Sequence, residues 1–228
     1  MHESEPQPMS AVEELARDPS SRKRFLKAAG GTGAAASFAL FLSACGSKKV
    51  KTTAGGSNPN TAAGTGTDQF GKGDLGITIY ALTLEYLESE FYRQVVASKR
   101  LGGKPAATIQ RFGAQEAQHV AALEALVRKL GGKLPAKPTP SFQLTTPNFI
   151  LQTASSLEYT GAAAYLGQAG RIQSKEVLAA ALSIHTVEAR HDAALNLMLG
   201  KDVSPDGAFA KPQFVADVLQ TVRPFMSQ

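Results

Sequence analysis

The sequence predicts an all-α protein, an antiparallel four-helix bundle with one long crossover between its second and third helices. Four long Ala/Leu-rich segments with helical spacing follow one another from Asp74 to about residue 200, and none alternates with the period of a strand. Only a few residues separate the first from the second and the third from the fourth, so each pair closes as an antiparallel hairpin. Between the hairpins lies KLPAKPTPSFQLTTP, a proline-rich stretch of 15 residues. Extended, it reaches roughly 50 Å, whereas helices of this length span roughly 40 Å. The stretch can therefore run the whole length of a bundle.

Residues 1–44 read as a targeting segment rather than as fold. Arg22, Lys23, Arg24 and Lys27 precede the run AAGGTGAAASFALFLSA, which ends at Cys45. That run is short and glycine-rich, whereas a membrane span wants about 20 strongly apolar residues. SRKRFLK at 21–27 resembles the twin-arginine export signal, with Lys23 in place of its second arginine. LSAC at 42–45 resembles a lipobox, in which the cysteine becomes the lipidated first residue of the mature chain. Together these resemblances imply export and attachment through Cys45 to the outer face of the cytoplasmic membrane, or residence in the periplasm or cell envelope. Cys45 is the only cysteine, which excludes a disulfide framework, a zinc–thiolate site or an iron–sulfur cluster within one chain. His2 lies in the same leader. Residues 45–73 are rich in Gly, Ser, Thr and Asn with little to bury, and read as a flexible tether.

The net charge is +5, and because residues 1–44 carry five charges of each sign, removing them leaves it unchanged. No Lys/Arg stripe interleaves with aromatics, so no nucleic-acid partner is expected. Basic residues in the tether (Lys48, Lys49, Lys51, Lys72) suit an anionic membrane surface instead.

The folded part is expected over 74–228. Its first helix covers about 75–100, with Asp74 able to cap it, an apolar stripe of Tyr80, Leu84, Leu87, Phe91 and Val95, and Gly102-Gly103 to end it. The second runs from near Pro105, a residue suited to a first helical turn, to Gly131-Gly132. The third opens at Thr146-Pro147 and runs to about Gly170; the fourth spans about Ser174 to Gly200. A short last helix is expected over about 212–222, after Pro212.

The chemistry lies in a repeat. LEY at 84–86 is followed by Tyr92, seven residues after Glu85; LEY at 157–159 is followed by Tyr165, seven after Glu158. The second and fourth helices carry EAQH at 116–119 and EARH at 188–191. The offsets are 73 and 72, which makes this an internal repeat of hairpins. Residues three apart share a helix face, so Glu116 projects with His119, and Glu188 with His191. Both pairs fall within the apolar stripes. Carboxylates turned into a bundle core are costly unless paired or metal-bound, and divalent or trivalent cations would turn their mutual repulsion into attraction.

One Glu from each of two helices and Glu-x-x-His from each of the other two is the ligand set of the ferritin-like di-iron and di-manganese carboxylate proteins. The sequence resembles that superfamily over about 75–200, and looks closest to exported ferritin-like proteins related to the desiccation-associated family. The resemblance implies two metal ions, iron first and manganese as the alternative. Glu85 and His119 would serve one ion, Glu158 and His191 the other, with Glu116 and Glu188 bridging. Tyr92 and Tyr165 become candidates to hydrogen-bond the ligands from behind. Glu88, whose repeat partner is Gly161, reads as a flanking acid rather than an extra ligand, His185 as a core histidine or one that supports a ligand, and Asp192 as a solvated helix residue rather than a brace for a ligand.

Such a site implies an oxidoreductase that oxidises Fe(II) or handles O₂ or peroxide, with a manganese-catalase-like enzyme as the alternative. A non-enzymatic stress scaffold is the competing class, since a fold does not fix a function. Rubrerythrin-type electron transfer lacks its four cysteines, and a lipid anchor on a long tether sits badly with a closed storage cage. Oligomeric state is left open, a dimer included.

Overall fold

A computed structural model of the chain describes residues 66–226; the leader, Cys45 and the tether up to residue 65 lie outside the described residues. Five α-helices and no strands occur among them: α1 (Gly73–Ser98), α2 (Gly103–Lys129), α3 (Pro147–Ala169), α4 (Lys175–Met198) and α5 (Val215–Val222). Each of the four long helices lies within two residues of its expected span, and α5 begins at Val215 rather than after Pro212.

Local chemistry explains the boundaries. Lys99 ends α1 in the left-handed conformation (φ 54°), ahead of the two glycines expected to stop it. Thr146 accepts a hydrogen bond from Phe149 N with Pro147 in the first turn of α3, and Ser174 accepts one from Val177 N to cap α4. Asp74 does not cap its own helix. Its carboxylate accepts from Gln173 N (2.9 Å) and Ser174 N (2.6 Å), so it fastens the start of α1 to the start of α4. The tether also ends earlier than expected. Thr67 is buried, Asp68–Phe70 form a 3-10 turn, and the Phe70 ring packs 5.4 Å from Tyr80.

The crossover runs up the length of α1. Gly132 lies against Leu75, Lys137 sits 4.9 Å over the Tyr86 ring, Gln94 donates to Pro140 O, and Arg100 donates to Thr145 O. Contacts thus climb from one end of α1 to the other, as a single long crossover requires. Phe142 anchors the segment, edge-on to Phe91 with centroids 5.0 Å apart. The result is a bundle in which α1 and α3 are antiparallel neighbours, as are α2 and α4.

Two apolar clusters hold the bundle at either end. Phe91, Phe112, Ile150 and Leu195 pack where α1 finishes, and Ile77, Leu123, Ile172 and Val177 where it begins. Full burial of each large apolar side chain contributes about 1.5–3 kcal/mol. Val215, Val218 and Val222 turn one face of α5 inward. The strand-like lead into α5 docks on α3, where Gln213 N donates to Ala163 O (3.0 Å). Gly167 makes that approach feasible, because a Cβ there would lie 2.1 Å from Gln213 O. No helix among the described residues is long and apolar enough to cross a membrane.

Candidate metal centre

Between the two apolar clusters the bundle core is polar. Glu85, Glu116, Glu158 and Glu188 are each 0% exposed, His191 is 3% exposed, and His119 keeps 12% of its side chain open. The six ligand candidates from the repeat therefore meet in one place. They form two groups: Glu85, Glu116, His119 and Glu188, and Glu116, Glu158, Glu188 and His191. Glu116 and Glu188 belong to both.

The distances give the arrangement its character. His119 Nδ1 lies 3.3 Å from Glu85 Oε2, 3.0 Å from Glu116 Oε2 and 3.2 Å from Glu188 Oε1. His191 Nδ1 lies 3.1 Å from both Glu116 Oε1 and Glu158 Oε2. Glu116 thus offers one oxygen to each histidine. A single Nδ1–H satisfies one acceptor, so several oxygens must go without. Glu85 Oε2, Glu116 Oε1 and both oxygens of Glu188 are buried with no hydrogen-bond partner. Buried orphans of this kind are costly. Among the described residues, every ion pair these carboxylates make is with a histidine.

That donor set fits two cations. Donors about 2.1 Å from a common ion and at right angles to one another stand about 3.0 Å apart, which matches the observed 3.0–3.3 Å contacts between His119 Nδ1 and its three carboxylate oxygens. Mixed carboxylate and imidazole ligands suit iron or manganese.

Supporting residues orient the ligand candidates. Tyr165 donates to Glu85 Oε1 at 2.6 Å, and Tyr92 donates to Glu158 Oε1. Each tyrosine bonds the glutamate of the opposite hairpin, not its own. His191 Nε2 lies 2.7 Å from Gln115 Oε1, so it carries the proton and leaves the Nδ1 lone pair facing the carboxylates. The Phe112 ring stacks on His191 with centroids 3.9 Å apart. Gln115 escaped the sequence analysis because it sits beside the apolar stripe of its helix and serves a histidine on another.

The electrostatics are those of an unneutralised cluster. Burial first, then repulsion from Glu188, pushes the Glu85 carboxyl well above the usual range. Glu158 and Glu188 are also pushed up, by burial and then by neighbouring carboxylates. Burial raises Glu116 too, but the hydrogen bond from His119, with the His191 ring on its other oxygen, outweighs it and holds the group at about 2. Burial lowers His119, and its three carboxylate partners more than reverse this, lifting it to about 12.

Glu88 belongs to neither ligand group and flanks them from inside the core: it is 2% exposed, its Oε2 is unpartnered, and burial followed by repulsion from Glu188 pushes it well up. It occupies the space its repeat partner vacates, since a Cβ on Gly161 would lie 2.9 Å from Glu88 Oε1 and 2.7 Å from Glu188 Oε2. One expectation needs correction: Asp192 is not a solvated helix residue. It is 7% exposed and accepts from Ser155 Oγ (2.8 Å) and Asn196 Nδ2 (3.1 Å), tying α3 to α4. His185 stands apart from both ligand groups, half-buried with Nδ1 2.9 Å from Ala162 O.

The profile of the ferritin-like domain family matches residues 73–201. The chain belongs to the ferritin-like domain family. Its fold is also similar to the crystal structure of a conserved hypothetical protein from Mycobacterium tuberculosis, with a TM-score of 0.51 at 18% identity over 56% of this chain and 90% of that one. No curated protein matches the chain. The matched span of this ferritin-like protein contains all six ligand candidates and both tyrosines.

Proposed function

We propose that this ferritin-like protein binds a dinuclear iron or manganese centre and uses it to oxidise Fe(II) or to handle O₂ or peroxide. The observation that carries the proposal is Glu116, buried and offering one oxygen to each of two histidines, with Glu188 beside it in both ligand groups. Glu85 and His119 would complete one site, Glu158 and His191 the other. Bound there, the two ions would supply electron transfer to or from O₂, peroxide or Fe(II).

The chain's own residues do the rest. Tyr165 and Tyr92 fix the carboxylates of Glu85 and Glu158, and Gln115 fixes the His191 ring. Phe112 and the apolar clusters exclude water from the His191 side. The 12% exposure of His119, against 0% for its glutamate partners, makes its side the route by which a small reactant arrives.

We further propose that the protein works outside the cytoplasm, held to the membrane through lipidated Cys45, as SRKRFLK, LSAC and the glycine-rich tether suggest. Cys45→Ala should move it from the membrane fraction to the soluble one.

The deciding assay loads the full-length protein with iron or manganese, then measures O₂ uptake on adding Fe(II) and O₂ release on adding peroxide. Either reaction, lost in Glu116→Ala, supports the proposal. Two bound ions with neither reaction would instead make the centre structural and the protein a scaffold.

A further inference from the structure

We infer that a small chamber beside the centre is a binding site for one hydroxylic molecule, water or hydrogen peroxide. The chamber lies at the end of the bundle where α1 begins and holds about 20 Å³ of accessible space. A water needs roughly 10–15 Å³ measured this way, and two to four polar partners. The wall is almost wholly apolar, built from side chains such as Ile77, Leu84, Leu123 and Ile172. Four polar residues interrupt it, Thr78, Tyr80, Tyr165 and Gln168, and two of them hold atoms without a partner. Gln168 is 2% exposed with both its Nε2 and Oε1 unpartnered, and Tyr80 is 2% exposed with its hydroxyl unpartnered. Three buried polar atoms thus go without a partner on two residues that line one cavity of water-molecule size. Buried amides and hydroxyls are rarely left so. Burial, followed by the nearby Glu88 carboxylate, pushes the Tyr80 hydroxyl well up and keeps it a donor.

The same wall includes Tyr165, whose hydroxyl donates to Glu85 Oε1 at 2.6 Å. Its oxygen retains lone pairs, so a guest that donates a hydrogen bond would stand one residue away from a ligand candidate. Only one half of the centre is served in this way. The repeat counterparts of Gln168 and Tyr80 are Val95, buried and unable to hydrogen-bond, and Thr153, half-buried with its hydroxyl bonded to Phe149 O. The chamber is an anteroom to the Glu85 side. An apolar wall with a few polar contacts selects for size and for the ability both to donate and to accept, which water and peroxide share and dioxygen lacks. The site does not depend on what the carboxylates hold.

The test uses the full-length protein as purified. Gln168→Met keeps the length of the side chain and removes both polar atoms; Tyr80→Phe removes the hydroxyl. With a guest bound, each variant loses a hydrogen bond to it, and Tm falls by about 2–6 °C. The double variant should then lose less than the sum, because both act through one guest. In a dry chamber the same changes remove orphaned polar atoms, and Tm rises in both; that result overturns the inference. A crystal structure of the unaltered protein decides independently. Density bonded to Gln168 and Tyr80 is expected, and an empty chamber would refute the site. Soaking such crystals in peroxide separates the guests: elongated density identifies peroxide, unchanged density identifies water.

Discussion

The two hairpins of the bundle carry the same chemistry on different surroundings. The α1–α2 hairpin gives Glu85, Glu116, His119 and Tyr92; α3–α4 gives Glu158, Glu188, His191 and Tyr165 at offsets of 73 and 72. What repeats is what two ions need. What does not repeat makes the two halves unequal. Glu88 faces Gly161, so an extra carboxylate fills a space that a glycine leaves open. His191 is clamped by Gln115 and covered by Phe112, whereas the counterparts of those residues beside His119 are Val187 and Ile184, which can neither clamp nor stack. His119 is correspondingly the more open histidine, at 12% against 3%. The six Glu and His residues repeat while their supports do not, which gives one sheltered histidine and one accessible one.

The sharpest way to break this comparison is to remove shared and unshared ligands in turn. Glu116→Ala should take the full-length protein from about two ions per chain to fewer than one, whereas Glu85→Ala should cost only the ion of the His119 side. Elemental analysis after reconstitution distinguishes them; equal losses would deny Glu116 its bridging position.

The next largest effect is on pH. In metal-free protein, burial pushes Glu85, Glu88, Glu158 and Glu188 above their ordinary 4.5, so folding resists their ionisation and stability falls as pH rises past that value. His119, lifted to about 12, contributes stability that is complete below its ordinary 6.5 and fades as pH climbs toward 12. Only Glu116 opposes them, its contribution present above 4.5 and lost toward 2. The Tm of metal-free protein should therefore drop between about pH 5 and about pH 9, and metal should flatten or reverse that slope because cations replace the protons. Calorimetry of both forms across that range checks the sign.

A smaller effect separates the two histidines. Gln115→Ala should weaken metal binding on the His191 side about 10-fold, leaving the other side unchanged, as two-step metal titration would reveal. Smallest is Gly161→Ala. Alanine favours a helix by about 0.5–1 kcal/mol, but the clash with Glu188 and Glu88 should cost about 1–3 kcal/mol, for a net loss near 1 kcal/mol in denaturant unfolding. Pairing it with Glu88→Ala should recover only part of that loss, because the closer contact, with Glu188 Oε2, remains.

The meeting of the six Glu and His residues was legible in the sequence because helical spacing and a repeated register are enough to place Glu and Glu-x-x-His on inward faces. The crossover was legible from length alone. Partners across helices were not. Tyr92 lies two turns, about 10 Å, from Glu85 on its own helix, so it cannot bond it; the antiparallel packing of α1 on α3 brings it to Glu158 instead. Glu88 was read as a flanking acid, but that Gly161 across the bundle makes its room was not visible in the sequence. Asp192 and Asp74 were misjudged for a related reason. Their partners, Ser155 on α3 and the backbone ahead of α4, are distant in sequence and invisible to helical periodicity.

The central claim is a dinuclear site shared by the two hairpins, and anomalous diffraction from crystals loaded with iron or manganese tests it most directly. Two peaks should appear, one among Glu85, Glu116, His119 and Glu188 and one among Glu116, Glu158, Glu188 and His191, the peak on the His119 side emptying first on chelation. A single peak, or none between Glu116 and Glu188, would contradict it.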